Sequence, residues 1–171
     1  MDYTFKLIIR LILSFMSIIF YRIYYIIFGP LTLNISAYII SLFTKVIVSE
    51  NMLYIGEFSF RFIDACVAAS AYILITLLVL LTKGIKLKTR LKMLGLGYLL
   101  FLGFNILRIE LLFLILLLFG HNVFNTLHVM IWLFFSTLVV FFIWIFLIKF
   151  FKIKNIPIYS DIQYLVSKIK K

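Results

Sequence analysis

Three side chains in this sequence could do chemistry together: Cys66, Arg108 and His128, each set in an otherwise apolar stretch. A thiol is a nucleophile, an imidazole moves protons near neutral pH, and a guanidinium keeps its charge while meeting a developing oxyanion. Those are the parts of an acyl transfer. Asn105 and Arg108 stand at i and i+3, so on a helix they share a face and the amide can orient the guanidinium, while Glu110 falls nearly opposite. Around the thiol, Asp64-Ala-Cys-Val-Ala-Ala-Ser-Ala71 is a cluster of small residues that lets another backbone approach closely. Asp64 suits a helix N-cap, which puts Cys66 in a first turn where the dipole favours the thiolate. The charge of Asp64 opposes ionisation and that of Arg108 favours it; the balance is expected to favour the thiolate.

Each residue also has a plainer role. A lone cysteine packs as a small hydrophobe, an arginine near a helix end snorkels to headgroups, and a histidine at an interface caps a span. His121, Asn125 and His128 fall at i, i+4 and i+7, but two histidines with no carboxylate at ligand spacing do not make a zinc site. No metal and no cofactor are expected, and His121 with Asn122 is read as a polar turn after Gly120. Cys66 is the single cysteine, so an intrachain disulfide is excluded.

Lipid must be the solvent of the elements that hold these residues. A content of 65% hydrophobic and 19% aromatic residues, with a mean hydropathy of +1.21, lies outside the range of soluble domains. The chain of 171 residues has room for about five or six crossings and no separate soluble domain. Apolar spans are read at 7–28, 31–48, 65–82, 91–112 and 127–148, with Gly29-Pro30 stopping the first and Arg22 and Lys45 interrupting the first two. The segment 46–63 reads as a surface hairpin turning at Gly56-Glu57, and the apolar stretch 111–119 either extends the fourth helix or tucks back.

The net charge of +11 does not indicate nucleic acid, because the basic residues concentrate beside spans, in the loop 83–92 and from Lys149 onward. Both places are expected on the cytoplasmic side, with Glu50, Glu57 and Asp64 outside. An odd number of spans then puts the N-terminus outside, against the sense of Lys6 and Arg10. No small-residue cleavage site follows the first apolar run, so that segment is expected to stay. In the tail, Ser160 and Gln163 have capping-box spacing and Ile162, Leu165, Val166 and Ile169 form one apolar face, which describes an interfacial amphipathic helix anchored by its lysines. The expected fold is an all-α integral membrane, polytopic transmembrane helix bundle with a small outer-face hairpin and that C-terminal amphipathic helix. Residues 1–154 form one transmembrane domain, with an active-site core at 50–148, and 155–171 form the cytoplasmic tail.

Depth links the elements to the chemistry. Counted from the basic residues Lys83, Arg90 and Lys149 at about 1.5 Å per helical residue, Cys66, Arg108 and His128 lie roughly 26, 27 and 32 Å away. In a hydrocarbon layer about 30 Å thick, all three reach the outer boundary.

The order Ala65-Cys66 at the start of a span, a basic loop, Asn105-Ile-Leu-Arg108-Ile109, and then His128-Val-Met-Ile-Trp-Leu-Phe134 is similar to the exosortase and archaeosortase family, over about 50–148. The length resembles that of the short pacearchaeosortase group. The resemblance implies a membrane-embedded cysteine transpeptidase acting on secreted proteins that carry a C-terminal sorting signal of short motif, hydrophobic span and basic tail. It implies cleavage at the outer face and transfer to an anchor, often a membrane lipid. By the same resemblance Cys66 matches the nucleophile, Arg108 the essential arginine and His128 the third catalytic residue. Two departures stand out: Cys66-Val67-Ala68 replaces the usual Cys-Ser-Gly or similar, and the common acidic residue and glycine after His128 are missing. The rival expectation is a non-enzymatic membrane subunit, a transporter component or assembly scaffold, with Arg108 paired to Glu110 or Asp64 and no reactive thiol.

Overall fold

A computed structural model of the chain describes residues 3–49, 52–55, 58–61, 64–131, 136–155, 157, 161, 162 and 166. It is mostly helical: α1 (Tyr3–Ile19), α2 (Tyr21–Ser41), β1 (Val46–Ser49), β2 (Met52–Ile55), β3 (Phe58–Arg61), α3 (Asp64–Val67), α4 (Ala69–Leu80), α5 (Leu87–Met130) and α6 (Ser136–Phe150). Among the described residues, two helical stretches, Tyr21–Ser41 and Leu87–Gly120, are long and apolar enough to cross a membrane, and Ala69–Leu80 and Ser136–Phe150 are shorter apolar helices.

Helix α4 sits at the centre because it is apolar on every side, so each face needs a neighbour. It packs against α1, α2, α5 and α6. Tyr72, Ile75 and Val79 on it are completely or almost completely buried. Phe28 of α2 stacks on the Tyr72 ring at 3.8 Å between centroids, with Phe101 of α5 edge-on at 4.9 Å. Thr76 supplies the polar contact of this layer. Its hydroxyl donates to the Tyr72 carbonyl at 2.8 Å, so its one proton is spent. The hydroxyls of Tyr24 and Tyr98, at 2.9 and 2.6 Å, therefore donate to Thr76 and tie α2 and α5 to α4. Gly97 lets α5 come close: a β-carbon there would meet Ile75 and Leu147 side chains at 3.0 and 3.1 Å.

Several boundaries differ from the sequence expectation. The first apolar run breaks at Phe20, between α1 and α2, and the helix continues through Gly29-Pro30 to Ser41. Pro30 lies on the exposed face of α2, while Phe28, Thr32, Leu33, Ser36 and Ala37 are buried on both sides of it. Packing on either flank holds the helix across the one hydrogen bond that proline forfeits. The segment 46–63 is a three-stranded antiparallel meander, not a single hairpin, with Ser49 opposite Met52 and Ile55 opposite Phe58. Residues 50, 51, 56 and 57, among them the expected turn at Gly56-Glu57, lie outside the described part. Leu53 and Ile55 are buried and Tyr54 is exposed, the period-two pattern of a half-covered strand. They join Leu33, Ala37 and Ile40 of α2, with Cys66, Ile109 and Phe113 packed against them.

The fourth expected span takes in the stretch 111–119 as continuous helix, reaching 34 residues at Gly120, or about 51 Å. His121-Asn122 is not a turn. The helix kinks at Gly120 (φ 79°, ψ −177°) and resumes to Met130. The expected start of the last span at 127 falls within α5, and the last apolar helix is described over Ser136–Phe150. Of the amphipathic helix expected from Ser160 onward, only Asp161, Ile162 and Val166 belong to the described residues.

Parts of the chain far apart in sequence meet at one end of the molecule. Tyr3 donates to Asp161, Arg10 donates to both Asp161 oxygens at 2.8 and 2.9 Å, and Lys83 lies 4.4 Å from the Tyr3 ring centre. The start of α1, the loop after α4 and Asp161 thus share one end.

Candidate functional site

At the other end the chain breaks where the small-residue cluster lies. Ala68 adopts the left-handed conformation (φ 54°, ψ 47°) between α3 and α4. For a residue with a β-carbon this costs about 1–2 kcal/mol. The break takes the Cys66 and Val67 carbonyls out of a continuous helical ladder and turns them toward α5. Asn105 Nδ2 donates to the Cys66 oxygen at 2.8 Å and to the Val67 oxygen at 3.4 Å, and Arg108 Nη2 donates to the Cys66 oxygen at 3.1 Å. Hydrogen bonds of this kind, one of them charged, contribute about 1–3 kcal/mol and offset the backbone strain.

The expected dipole effect on Cys66 is accordingly reduced. The thiol sits in a one-turn helix separated from α4, not in the first turn of a long span. What the break supplies instead is position, because it brings Cys66 to the face of α5 that carries Asn105 and Arg108.

Both of these polar side chains are deeply enclosed, Asn105 at 3% exposure and Arg108 at 4%, in the middle of a helix that is apolar around them. The guanidinium also donates to the Ser136 hydroxyl at 3.3 Å, which links the start of α6 to the same point. Its charge is close enough to interact with the Cys66 thiol, the Tyr72 hydroxyl and the His128 imidazole. Arg108 is thus the hub of the three residues singled out in the sequence. Glu110 points to the other side of α5, beside Ser36 of α2, as its helical phase requires.

His128 stands in the last turn of α5, beyond the Gly120 kink, rather than at the opening of the final helix. Its ring stacks on Phe124 at 5.5 Å between centroids, and its Nδ1 is buried with no hydrogen-bond partner among the described residues. Phe101, Phe104, Asn105, Arg108, Ser136 and Val139 line a crevice of about 10 Å³, enough for about one water. The side chains of Asp64 and His121 lie outside the described part of the structure, so the roles expected of them stay expectations. Among the described residues, no three His, Cys, Asp or Glu side chains group as metal ligands.

Two participants escaped the sequence reading. Ser136 brings a hydroxyl to the last apolar helix, a visible signal in Phe135-Ser136-Thr137. Tyr72 is fully buried with its hydroxyl unpartnered among the described residues, and nothing in its local sequence sets it apart from the other tyrosines.

Comparison of the chain with family models, with curated proteins and with solved structures finds no match in any of the three.

Proposed function

We propose that this chain is a multi-pass membrane cysteine transpeptidase that cleaves a C-terminal sorting signal of secreted proteins at the extracytoplasmic face and passes them to an anchor, a lipid amphiphile among the candidates. The observation that carries the reading is the placement of Arg108, hydrogen-bonded to the Cys66 backbone and within electrostatic range of both the Cys66 thiol and His128. In this reading α2, α3 with α4, α5 and α6 cross the bilayer, α1 lies along the surface, and the basic end is cytoplasmic.

His128 takes the proton of the Cys66 thiol, the sulfur attacks the scissile carbonyl carbon, and the carbonyl π electrons move onto oxygen. Arg108 faces that oxyanion with a charge already fixed in place, so little reorganisation is needed as the charge develops. Collapse expels the amine of the signal peptide, which takes a proton from His128 and leaves a thioester on Cys66. An incoming amine or hydroxyl gives its proton back to His128, attacks the thioester carbonyl and releases the thiolate. The product is an amide or ester of the anchor.

The test is alkylation of Cys66 by a membrane-impermeant maleimide across pH, in wild type and Arg108→Ala. Labelling from outside with a midpoint below the free-thiol value of about 8.5, displaced upward in the variant, supports the reading. Identical profiles in the two proteins overturn it.

A second reading, a non-enzymatic membrane subunit, draws on one observation. Asn105 and Arg108 both donate to the backbone of Cys66, which is what a structural clamp on a helix break does. In that case Cys66→Ser would leave every function of the protein intact.

A further inference from the structure

The basic end of the molecule contains a cavity that the chemistry at Cys66 does not use. It has a volume of about 530 Å³ and lies between the start of α1 and the turn from α4 into α5. Five cations line it: Lys6 and Arg10 from α1, Lys83 and Lys86 from the turn, and Arg90 from α5. The nearby carboxylate of Asp161 accepts from Nη2 of Arg10. Nη1 of the same arginine, which is only 6% exposed, has no partner among the described residues, and neither has the buried Nε of Arg90. Arg90 spends one Nη on the Thr82 carbonyl at 3.0 Å, and the two guanidinium groups are close enough to repel one another.

The wall is built, not accidental. Gly84 takes a left-handed conformation (φ 78°) that Asn155 clamps through a 2.9 Å hydrogen bond to the Lys83 carbonyl. A β-carbon at Gly84 would meet that Asn155 amide at 2.9 Å.

A second cavity of about 410 Å³ adjoins the first, and the two share Leu13, Leu87 and Arg90 in their walls. Its lining is almost entirely apolar, with Met16, Phe20 and Ile23 on one side and Leu91 and Leu94 on the other. Helix α1 explains why this groove exists. Its buried stripe is Leu7, Arg10 and Ser14, while Phe5, Ile8, Leu11, Ile12 and Phe15 point outward. The helix therefore turns polar groups inward over the cavity and apolar ones toward lipid.

A cationic chamber opening into an apolar groove fits an amphiphile with an anionic head. We propose that this end of the protein binds an anionic phospholipid, its phosphate held by Arg10, Arg90 and the surrounding lysines and an acyl chain laid along the groove of α1, α2 and α5. Basic pockets between helices near the bilayer surface select such headgroups through charge-assisted hydrogen bonds, with the bilayer supplying the ligand. The lipid would neutralise two arginines that otherwise face each other, and so fasten α1 to α5.

The full-length protein, purified in a nonionic detergent, tests this when titrated separately with phosphatidylglycerol, phosphatidylcholine and sodium phosphate. Retained lipid is read by native mass spectrometry, and the melting temperature is read alongside. Phosphatidylglycerol is expected to be retained and to raise the melting temperature, with phosphatidylcholine and phosphate doing neither. The double variant Lys6→Gln/Lys86→Gln changes two exposed side chains, so folding is preserved, and it should bind phosphatidylglycerol about tenfold more weakly. A control, Lys149→Gln/Lys152→Gln, should bind as wild type does. Equal retention of the two lipids, an unaffected double variant, or full stabilisation by phosphate alone would each overturn the proposal.

Discussion

Asn105 on α5 donates its amide to the Cys66 carbonyl at 2.8 Å, bridging two elements that are far apart in sequence. The bond fixes the backbone next to the single thiol, and Arg108 one turn further along α5 adds a second bond to the same oxygen. Replacing Asn105 by Leu removes the donor, leaves the buried Val67 carbonyl without it, and leaves the Cys66 carbonyl to Arg108 alone. The expected loss is about 1–3 kcal/mol, seen as a lower melting temperature in detergent. Cys66 should also alkylate faster, since the one-turn helix α3 would loosen. Asn105→Gln, which keeps an amide on a longer arm, should recover part of both effects.

Ala68 holds a left-handed conformation that glycine adopts freely. Ala68→Gly is expected to stabilise the protein by up to about 1 kcal/mol and to leave the Cys66 labelling profile unchanged. Ala68→Val, buried and β-branched, should do the opposite by more than that. Thermal melts of the pair decide it: a destabilised glycine variant would mean that the break at this position is not strained.

Gly120 has a backbone conformation that only glycine tolerates, with open space around it. Any penalty for Gly120→Ala is therefore one of backbone geometry and not of collision, about 1–3 kcal/mol. If the helix straightens to escape it, His128 swings away from Arg108. The expected signature is a Cys66 reaction profile that matches that of His128→Ala, with the rest of the fold intact by circular dichroism.

At the basic end, burial together with the hydrogen bond to Asp161 and its charge pushes the Tyr3 hydroxyl up to about 12. The folded state therefore keeps a proton that the unfolded chain releases near 10. The stability tied to this proton is complete below about pH 10 and is lost as pH rises toward 12. Tyr3→Phe should lower the melting temperature at pH 8 and flatten its fall between pH 10 and 12 relative to wild type. Asp161→Asn, which leaves Arg10 buried without its carboxylate, is expected to cost about 3 kcal/mol or more.

Composition and hydropathy alone carried the helical character, because a chain this apolar, if it lies in lipid, can satisfy its backbone only by forming helices or a closed barrel, and its apolar runs are long. Helical phase alone separated Asn105 and Arg108 from Glu110, since side-chain direction repeats with the turn. Depth counting put Cys66 and Arg108 at one level. That they meet was decided by lateral packing, which no one-dimensional spacing encodes: α2 packs against α3, α4 and α5 together, and α3 comes to lie beside α5. Backbone breaks were equally hidden. A helix passes through Pro30 because its flanks are buried, and another breaks at Ala68 because amide and guanidinium donors from α5 capture the carbonyls beside it. Local residue preference argues the reverse at both positions, and in each case the free energy of long-range contacts outweighs a local bias of about 1–3 kcal/mol.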